Sequence, residues 1–298
     1  MSITSPHPRD TRGPSSASHR LLTKVPEIIA FFWITKVATT AMGETTSDCL
    51  NGVLGPAIAV PLMLIGLVWA LRRQFRADRY DAWTYWAVVV MVAIFGTSAA
   101  DGLHVGLGVA YLDVTMLYAV ILAAVFYAWH RSEGTLSIHS IHTKRREAFY
   151  WATVLATFAL GTATGDMTAT TLHLGYFDSG LLFIGLIAIP ALAYRYLGMN
   201  EVLAFWMAYV LTRPLGASFA DWMAVEKSRG GLGIGTGGAS LILGTVVILA
   251  IWRLARTRMD VRDDDPDGVV VPVPPATPDG GRAEHGVLGE RDPDAAQA

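Results

Sequence analysis

The sequence predicts an all-α, polytopic membrane protein with eight transmembrane helices, arranged as four parallel repeated helical hairpins. Of its 298 residues, 52% are hydrophobic and 16% are charged, a balance typical of membrane proteins rather than soluble domains. Eight apolar segments are each close to the ~20 residues that cross ~30 Å of hydrocarbon. In addition, one pattern of polar and aromatic residues recurs four times, in every second segment.

The apolar segments are of two alternating kinds. The odd-numbered segments carry an aromatic-Trp pair, then a Gly ten residues after the Trp and an Asp fifteen residues after it, whereas the even-numbered ones have no acid in their middle. One repeat is therefore a motif helix, a short loop and a plain helix. The predicted segments are 26–47, 54–71, 82–101, 111–129, 148–167, 179–197, 201–221 and 236–253, which group into repeats 25–78, 79–132, 145–198 and 199–254 of a membrane domain over 25–258.

Basic residues predict the orientation of these helices. They crowd every second loop and both flanks of the membrane domain, whereas the alternate loops are nearly free of them apart from Lys227 and Arg229. By the positive-inside rule, both termini are cytoplasmic and the number of spans is even. All four repeats then begin on the same side of the membrane, unlike the inverted repeats of many transporters.

The two flanks have a different composition. Residues 1–24 are rich in Ser, Pro and Arg and contain no apolar core, so we expect no cleaved signal peptide and a disordered cytoplasmic segment. Residues 259–298 begin acidic and become rich in Pro and Gly, which predicts a disordered tail. Cys49 is the single cysteine, so neither an intrachain disulfide nor a Cys-rich metal site is possible.

The four repeated Asp residues are the candidate functional groups. An ionisable residue at membrane depth is costly and by default marks a functional site. Carboxylate oxygens suit hard divalent cations, and an imidazole shifts the preference toward Mn²⁺ and later metals. We therefore predict a cation site whose metal ligands are Glu44, Asp48, Asp101, Asp166 and Asp221, with His104 completing the shell.

Two basic residues lie within the motif helices. Lys36 falls on the same helical stripe as Glu44 and Asp48, and Arg213 lies two turns before Asp221. We predict that both act as internal countercharges when no cation is bound; protonation is another way to neutralise a buried carboxylate. Acids that alternately hold protons and a metal ion form the core of an antiporter. The leading prediction is thus a secondary transporter that exports a divalent, Mn²⁺-like cation in exchange for protons.

Two other functions remain open. In a transporter of a small organic solute or anion, Lys36 and Arg213 would bind the substrate and the acids would carry protons. In a non-transporting scaffold or stress protein, the Asp residues would hold the hairpins together. We expect no enzyme and no resident cofactor, because the sequence lacks a nucleophile–base pair, an HExxH or GxSxG element and a cofactor motif. The net charge of −2 gives no indication of nucleic-acid binding.

Simpler structural roles are also expected for parts of the motif. The aromatic-Trp pairs are typical of anchors at the membrane–water interface. The repeated Gly residues are typical of positions where two helices approach closely.

Several stretches resemble a known family. They include "KVPEIIAFFWITKVATTAMGETTSD" over 24–48, "FGTSAADGLHVGLG" over 95–108 and "AFWMAYVLTRPLGASFADW" over 204–222. These stretches are similar to the bacterial uncharacterised membrane-anchored proteins built from a tandem repeat of unknown function. The resemblance covers about Lys24 to Trp252 and implies a multi-pass protein of the bacterial inner membrane. It implies little about mechanism, although manganese efflux is compatible with it.

Overall fold

The computed structural model describes residues 18–21, 23–261 and 269–272. Within this part of the chain, each predicted apolar segment corresponds to one α-helix, which confirms the all-helical, eight-helix architecture. The helices are α1 (Ala30–Leu54), α2 (Pro56–Arg76), α3 (Ala82–Asp101), α4 (Tyr111–Glu133), α5 (Lys144–Asp166), α6 (Tyr176–Leu197), α7 (Glu201–Ala224) and α8 (Thr236–Thr257).

Two short strands, β1 (Ser18–Leu21) and β2 (Val269–Pro272), pair with each other in flanks for which we predicted disorder. The rest of that prediction, for residues 1–17, 22, 262–268 and 273–298, lies outside the described residues.

Among the described residues, six helices are long and apolar enough to cross a membrane, namely α2, α3, α4, α6, α7 and α8. The other two, α1 and α5, have 25 and 23 residues and are long enough but more polar. Both pack against several other helices. Their polar side chains therefore face protein, which is the arrangement that the bilayer requires.

Polar caps begin three of the four motif helices. Asp81, Thr143 and Asn200 each accept a hydrogen bond from the backbone N–H three residues later, in α3, α5 and α7. Such caps satisfy donors that the first turn leaves unpaired. Two of the plain helices, α4 and α6, end at glycines. Gly134 and Gly198 adopt left-handed backbone angles there and terminate the helices.

The four motif helices form a closed inner ring, in which α1 contacts α3, α3 contacts α5, α5 contacts α7 and α7 contacts α1. The plain helices form an outer layer, and each packs chiefly on the motif helix of the next repeat: α2 on α3, α4 on α5, α6 on α7 and α8 on α1. The two helices of a predicted hairpin follow each other in the chain, but each plain helix has its main packing partner in another repeat. The repeats interlock around a central axis with a pseudo-fourfold arrangement.

The repeated Gly residues set the spacing of the inner ring. Each Gly packs against the residue seven positions after the Trp of the next repeat. An added Cβ would lie 2.2 to 2.8 Å from a side-chain atom of that residue, a distance that real Cβ atoms do not tolerate. The four pairs are Gly43 with Ala93, Gly96 with Phe158, Gly161 with Arg213 and Gly216 with Thr40. The prediction that these glycines are helix-packing positions is confirmed.

The aromatic-Trp pairs form a closed belt at one end of the inner ring. The first aromatic of each pair contacts the Trp of the next repeat, with ring centroids 5.4 to 6.2 Å apart: Phe32 with Trp86, Tyr85 with Trp151, Tyr150 with Trp206 and Phe205 with Trp33. The prediction that these pairs are interface anchors is wrong for Trp86, Trp151 and Trp206, which are buried. We call this end of the bundle the tryptophan end and the opposite end the aspartate end.

Buried polar contacts fasten other elements at the tryptophan end. Lys24 Nζ lies 3.0 Å from Glu147 Oε2, and Gln74 Nε2 donates to Glu147 Oε1 at 3.0 Å. Tyr80 donates its hydroxyl proton to the carboxylate of Asp260. These contacts join the segment before α1, the end of α2 and the start of α5, and they join Tyr80 to the residues that follow α8.

Candidate functional site

Residues four apart on the motif helices form successive levels along the axis. Counted from the Trp of each repeat, residues at the seventh position pack on the Gly of the preceding motif helix, polar residues at the eleventh share hydrogen bonds, and the Asp residues at the fifteenth interact electrostatically. Levels of this kind arise because residues i and i+4 lie above one another on one face of a helix. The seventh positions are Thr40, Ala93, Phe158 and Arg213; the eleventh are Glu44, Thr97, Thr162 and Ala217; the fifteenth are Asp48, Asp101, Asp166 and Asp221.

The middle of the axis is filled by a hydrogen-bonded group that we call the plug, formed by Arg213, Glu44, Thr97 and Thr162. Arg213 Nη2 lies 2.5 Å from Glu44 Oε2 and 2.7 Å from Thr162 Oγ1, and it also donates to the hydroxyl of Thr97. Thr97 donates to Glu44 Oε2 at 2.9 Å. One residue from each motif helix thus meets at a single point.

The plug is buried within the bundle. Arg213 is 0% exposed and Glu44 is 3% exposed, and Arg213 Nη1 also donates to the carbonyl of Thr40 at 3.1 Å. Taking two charges out of water is compensated only by close pairing and further hydrogen bonds. The plug provides both, and it closes the axis at this level.

Lys36 lies on the tryptophan side of the plug. Its ammonium sits 3.8 Å from the ring centroid of Phe158 and 4.3 Å from that of Tyr209, and the residue is 1% exposed. Within the described part of the chain, Lys36 Nζ has no hydrogen-bond partner. Cation–π contacts on two rings offset part of its desolvation. Of the two predicted countercharges, only Arg213 is paired with an acid.

The four repeated Asp residues come together on the aspartate side of the plug. Glu44, Asp48 and Asp221 each offer one oxygen atom, and these atoms lie within 4.8 Å of one another. Asp101 and Asp166 interact electrostatically with each other and with Glu44 and Asp48. We call Asp48, Asp101, Asp166 and Asp221 the aspartate ring.

The carboxylates of the aspartate ring are unpaired. No hydrogen bond or ion pair joins them to any residue that the structure describes. Asp221 is buried, whereas Asp48, Asp101 and Asp166 are half-buried. Close acids repel one another, and the nearby guanidinium of Arg213 is already paired with Glu44; both facts favour the binding of a cation or of protons by the ring.

The backbone changes directly after two of the ring residues. After Asp101 and Asp166 the chain continues as π-helical turns, Gly102–Gly106 and Met167–Thr171, whereas α1 and α7 remain α-helical past Asp48 and Asp221. Single π-helical turns occur frequently at functional sites. Because these turns follow α3 and α5 but not α1 and α7, the four repeats fall into two pairs at the rim of the ring.

His104 is not part of the group formed by Glu44, Asp48 and Asp221, whose oxygen atoms lie within 4.8 Å of one another. Its Nδ1 is 2.7 Å from the carbonyl oxygen of Val109, and its ring stacks on Tyr111 with centroids 3.5 Å apart. These contacts hold the imidazole against the residues that follow it in the chain. The structure thus brings together the five acids that the sequence singled out, but it gives His104 local partners.

Sequence reasoning missed the direct pairing of Arg213 with Glu44. The available signal was the level eleven residues after the Trp, where three of the four residues are polar. Arg213 lies one helical turn nearer the tryptophan end than that level. The length of its side chain lets the guanidinium reach across the axis.

Comparison with known proteins identifies the repeat. A family model described as Repeat of Unknown Function (DUF347) matches four consecutive stretches of the chain: 31–80, 84–135, 149–198 and 204–260. Each stretch covers most of one motif helix and all of the plain helix that follows it. No curated protein and no solved structure matches the chain. The four matches cover well over half of its length, and the chain therefore belongs to this family of tandem membrane repeats.

Proposed function

We propose that this protein is a secondary transporter that moves a divalent, Mn²⁺-like cation across the membrane in exchange for protons. The observation that carries the proposal is the aspartate ring: four carboxylates from four repeats, unpaired by protein groups, with oxygens of Asp48, Asp221 and Glu44 within 4.8 Å of one another. Oxygen atoms at this spacing are the ligands that hard divalent cations prefer.

The path along the axis supports an alternating mechanism. On the aspartate side, Asp48, Asp101 and Asp166 are half-buried rather than buried. Toward the tryptophan end, the axis is filled by the plug, by Lys36 with its two aromatic rings, and by the aromatic belt. Passage of a cation therefore requires Arg213 to separate from Glu44, and this separation is the gating step of the proposal.

Protons complete the cycle. When the cation leaves, the carboxylates of the ring are left close together in a partly dehydrated place, where like charges are costly. Protons then bind the carboxylates and neutralise them. The neutral, empty site returns to face the other side of the membrane. Glu44 links cation release to the opening of the plug. Its carboxylate lies close to those of Asp48 and Asp221, and it is also paired with Arg213 in the plug.

A test in cells compares the wild type with Asp221→Asn under separate challenges with manganese, magnesium, calcium and zinc. Mass spectrometry of cellular metal should show a fall in manganese for the wild type only. The matched control is Asp113→Asn, an exposed acid in the first turn of α4 and outside the ring; it should behave as the wild type. Equal metal contents for wild type and Asp221→Asn, with equal protein in the membrane, would contradict the proposal.

One observation favours a second candidate, a transporter of a small anion. The ammonium of Lys36 is buried and has no hydrogen-bond acceptor among the described residues, and an anionic substrate would supply one. Lys36→Met separates the two candidates. It should abolish anion transport if Lys36 binds the substrate, whereas the cation proposal predicts that metal transport by the aspartate ring persists.

A further inference from the structure

A cavity of about 700 Å³ lies at the tryptophan end, between α1, α6, α7 and the connection over residues 134–143. Its volume is within the range of ~300–1,000 Å³ typical of small-molecule sites. Its walls are mostly apolar, and none of the plug or ring residues lines it. The cavity is thus separate from the axis, and we call it the lateral groove.

The longest connection between repeats builds this groove. Leu136 to His139 form part of its lining, and Trp206 Nε1 donates to the carbonyl of Leu136 at 2.9 Å, which fixes the connection over the bundle. Trp33 also lines the groove, and it alone among the four motif Trp residues is half-buried rather than buried. The groove is therefore a specific departure from the repeat pattern.

The groove has the length of one membrane leaflet. On α7 its lining extends from Glu201 to Thr212, and eleven residues of helix at 1.5 Å each correspond to ~16 Å. The hydrocarbon core of a bilayer is ~30 Å thick. An acyl chain that enters at the tryptophan end and follows α7 would reach about the middle of the membrane.

A basic residue stands at the mouth of the groove. Arg195, near the end of α6, is exposed, and its guanidinium lies 5.4 Å from the ring centroid of Tyr196. It forms no ion pair with an acid in the part of the chain that the structure describes. Arg and Tyr at a helix end are typical of the headgroup level, and a guanidinium binds phosphate through paired hydrogen bonds.

We propose that the lateral groove binds one glycerophospholipid from the leaflet at the tryptophan end, with an acyl chain between α6 and α1 and the phosphate at Arg195. The match of length, apolar lining and a cation at the mouth favours a phospholipid over a water-soluble ligand. This proposal does not depend on the transport function.

The test is native mass spectrometry of the purified full chain in detergent, with wild type expected to retain one phospholipid. Ala208→Trp on α7 fills the groove and should remove the retained lipid. Ala188→Trp fills it from the opposite wall, on α6, and gives the same expectation should the first variant fail to fold. The matched control, Ala124→Trp on the exposed face of α4, should retain the lipid.

Headgroup recognition is tested by Arg195→Gln, which should reduce phospholipid retention. Arg131→Gln, an exposed Arg at the corresponding end of α4, should leave it unchanged. Equal retention in the wild type and all groove variants would overturn the proposal, as would a wild type that retains only detergent.

Discussion

Arg213 is the side chain on which the four motif helices meet. Its guanidinium contacts a carboxylate from α1 and hydroxyls from α3 and α5, while its own helix is α7. A planar group with several fixed donors suits this position, and the single ammonium of a Lys does not reproduce it. The same contacts make Arg213 both a structural centre and the gate of the proposed pathway.

The buried pair of Arg213 and Glu44 should contribute strongly to the stability of the protein. Arg213→Gln leaves Glu44 buried without its partner, and Glu44→Gln does the converse, so each should lower the free energy of unfolding by ~3–5 kcal/mol. The double variant should lose less than the sum, because no uncompensated charge remains. Thermal unfolding in detergent measures all three. Glu133→Gln, in a partly exposed pair with Arg146, is the control and should cost ~0–1 kcal/mol.

Additive losses in the double variant would show that Arg213 and Glu44 do not interact in the folded protein, contrary to this account of the plug.

The acids of the site could be predicted from sequence because each recurs at one register or lies one turn from it. Asp48, Asp101, Asp166 and Asp221 share a position fifteen residues after a Trp, and Glu44 lies one turn earlier. The partners could not be predicted, because helical spacing gives the face of a side chain but not the neighbour it meets. The pairing of Arg213 with Glu44 depends on how α7 is placed against α1, and the contacts of Lys36 with Phe158 and Tyr209 depend on three helices.

At the scale of the helices, close approach is set by one Gly in each repeat. Gly43 faces Ala93 so closely that an added Cβ would lie 2.2 Å from the Ala Cβ. Gly52, on the same helix, has no atom within 4 Å of an added Cβ. A comparison of Gly43 with Gly52 therefore separates the packing role of a glycine from its effect on helix propensity.

Gly43→Ala should therefore destabilise the protein, since a methyl group forced into a packed contact costs ~1–3 kcal/mol. Gly52→Ala should be neutral or stabilise it by ~0.5–1 kcal/mol, because Ala is the better helix former. Thermal unfolding in detergent compares the two variants directly. Equal effects at the two positions would contradict the packing of α1 against α3.

The helices themselves followed from apolar length and from the repeat, but their partners did not. Chain order alone favours packing within a hairpin, whereas the plain helices pack chiefly on the next motif helix, so that α8 returns to α1. The burial of three motif Trp residues follows from the same ring, because a closed belt removes them from the lipid interface. Sequence periodicity carries no information about such long-range placement.

At the scale of the whole molecule, four parallel repeats enclose one axis with unlike ends. The tryptophan end is closed by aromatic side chains and by the buried contacts of Lys24 and Glu147, and the aspartate end carries the aspartate ring, in which three of the four residues are half-buried. By the positive-inside rule the closed end is predicted to be cytoplasmic. In the proposed function, the ring binds a cation on one side, exchanges it for protons and releases it on the other.

The measurement that tests this claim most directly is metal and proton flux in vesicles that contain the purified protein and a pH-sensitive dye. With a manganese gradient imposed, the wild type should move manganese one way and protons the other. Asp166→Asn should abolish both fluxes, and Asp113→Asn should leave both intact. Manganese movement without protons, undiminished flux in Asp166→Asn, or no manganese flux through the wild-type protein would contradict the account.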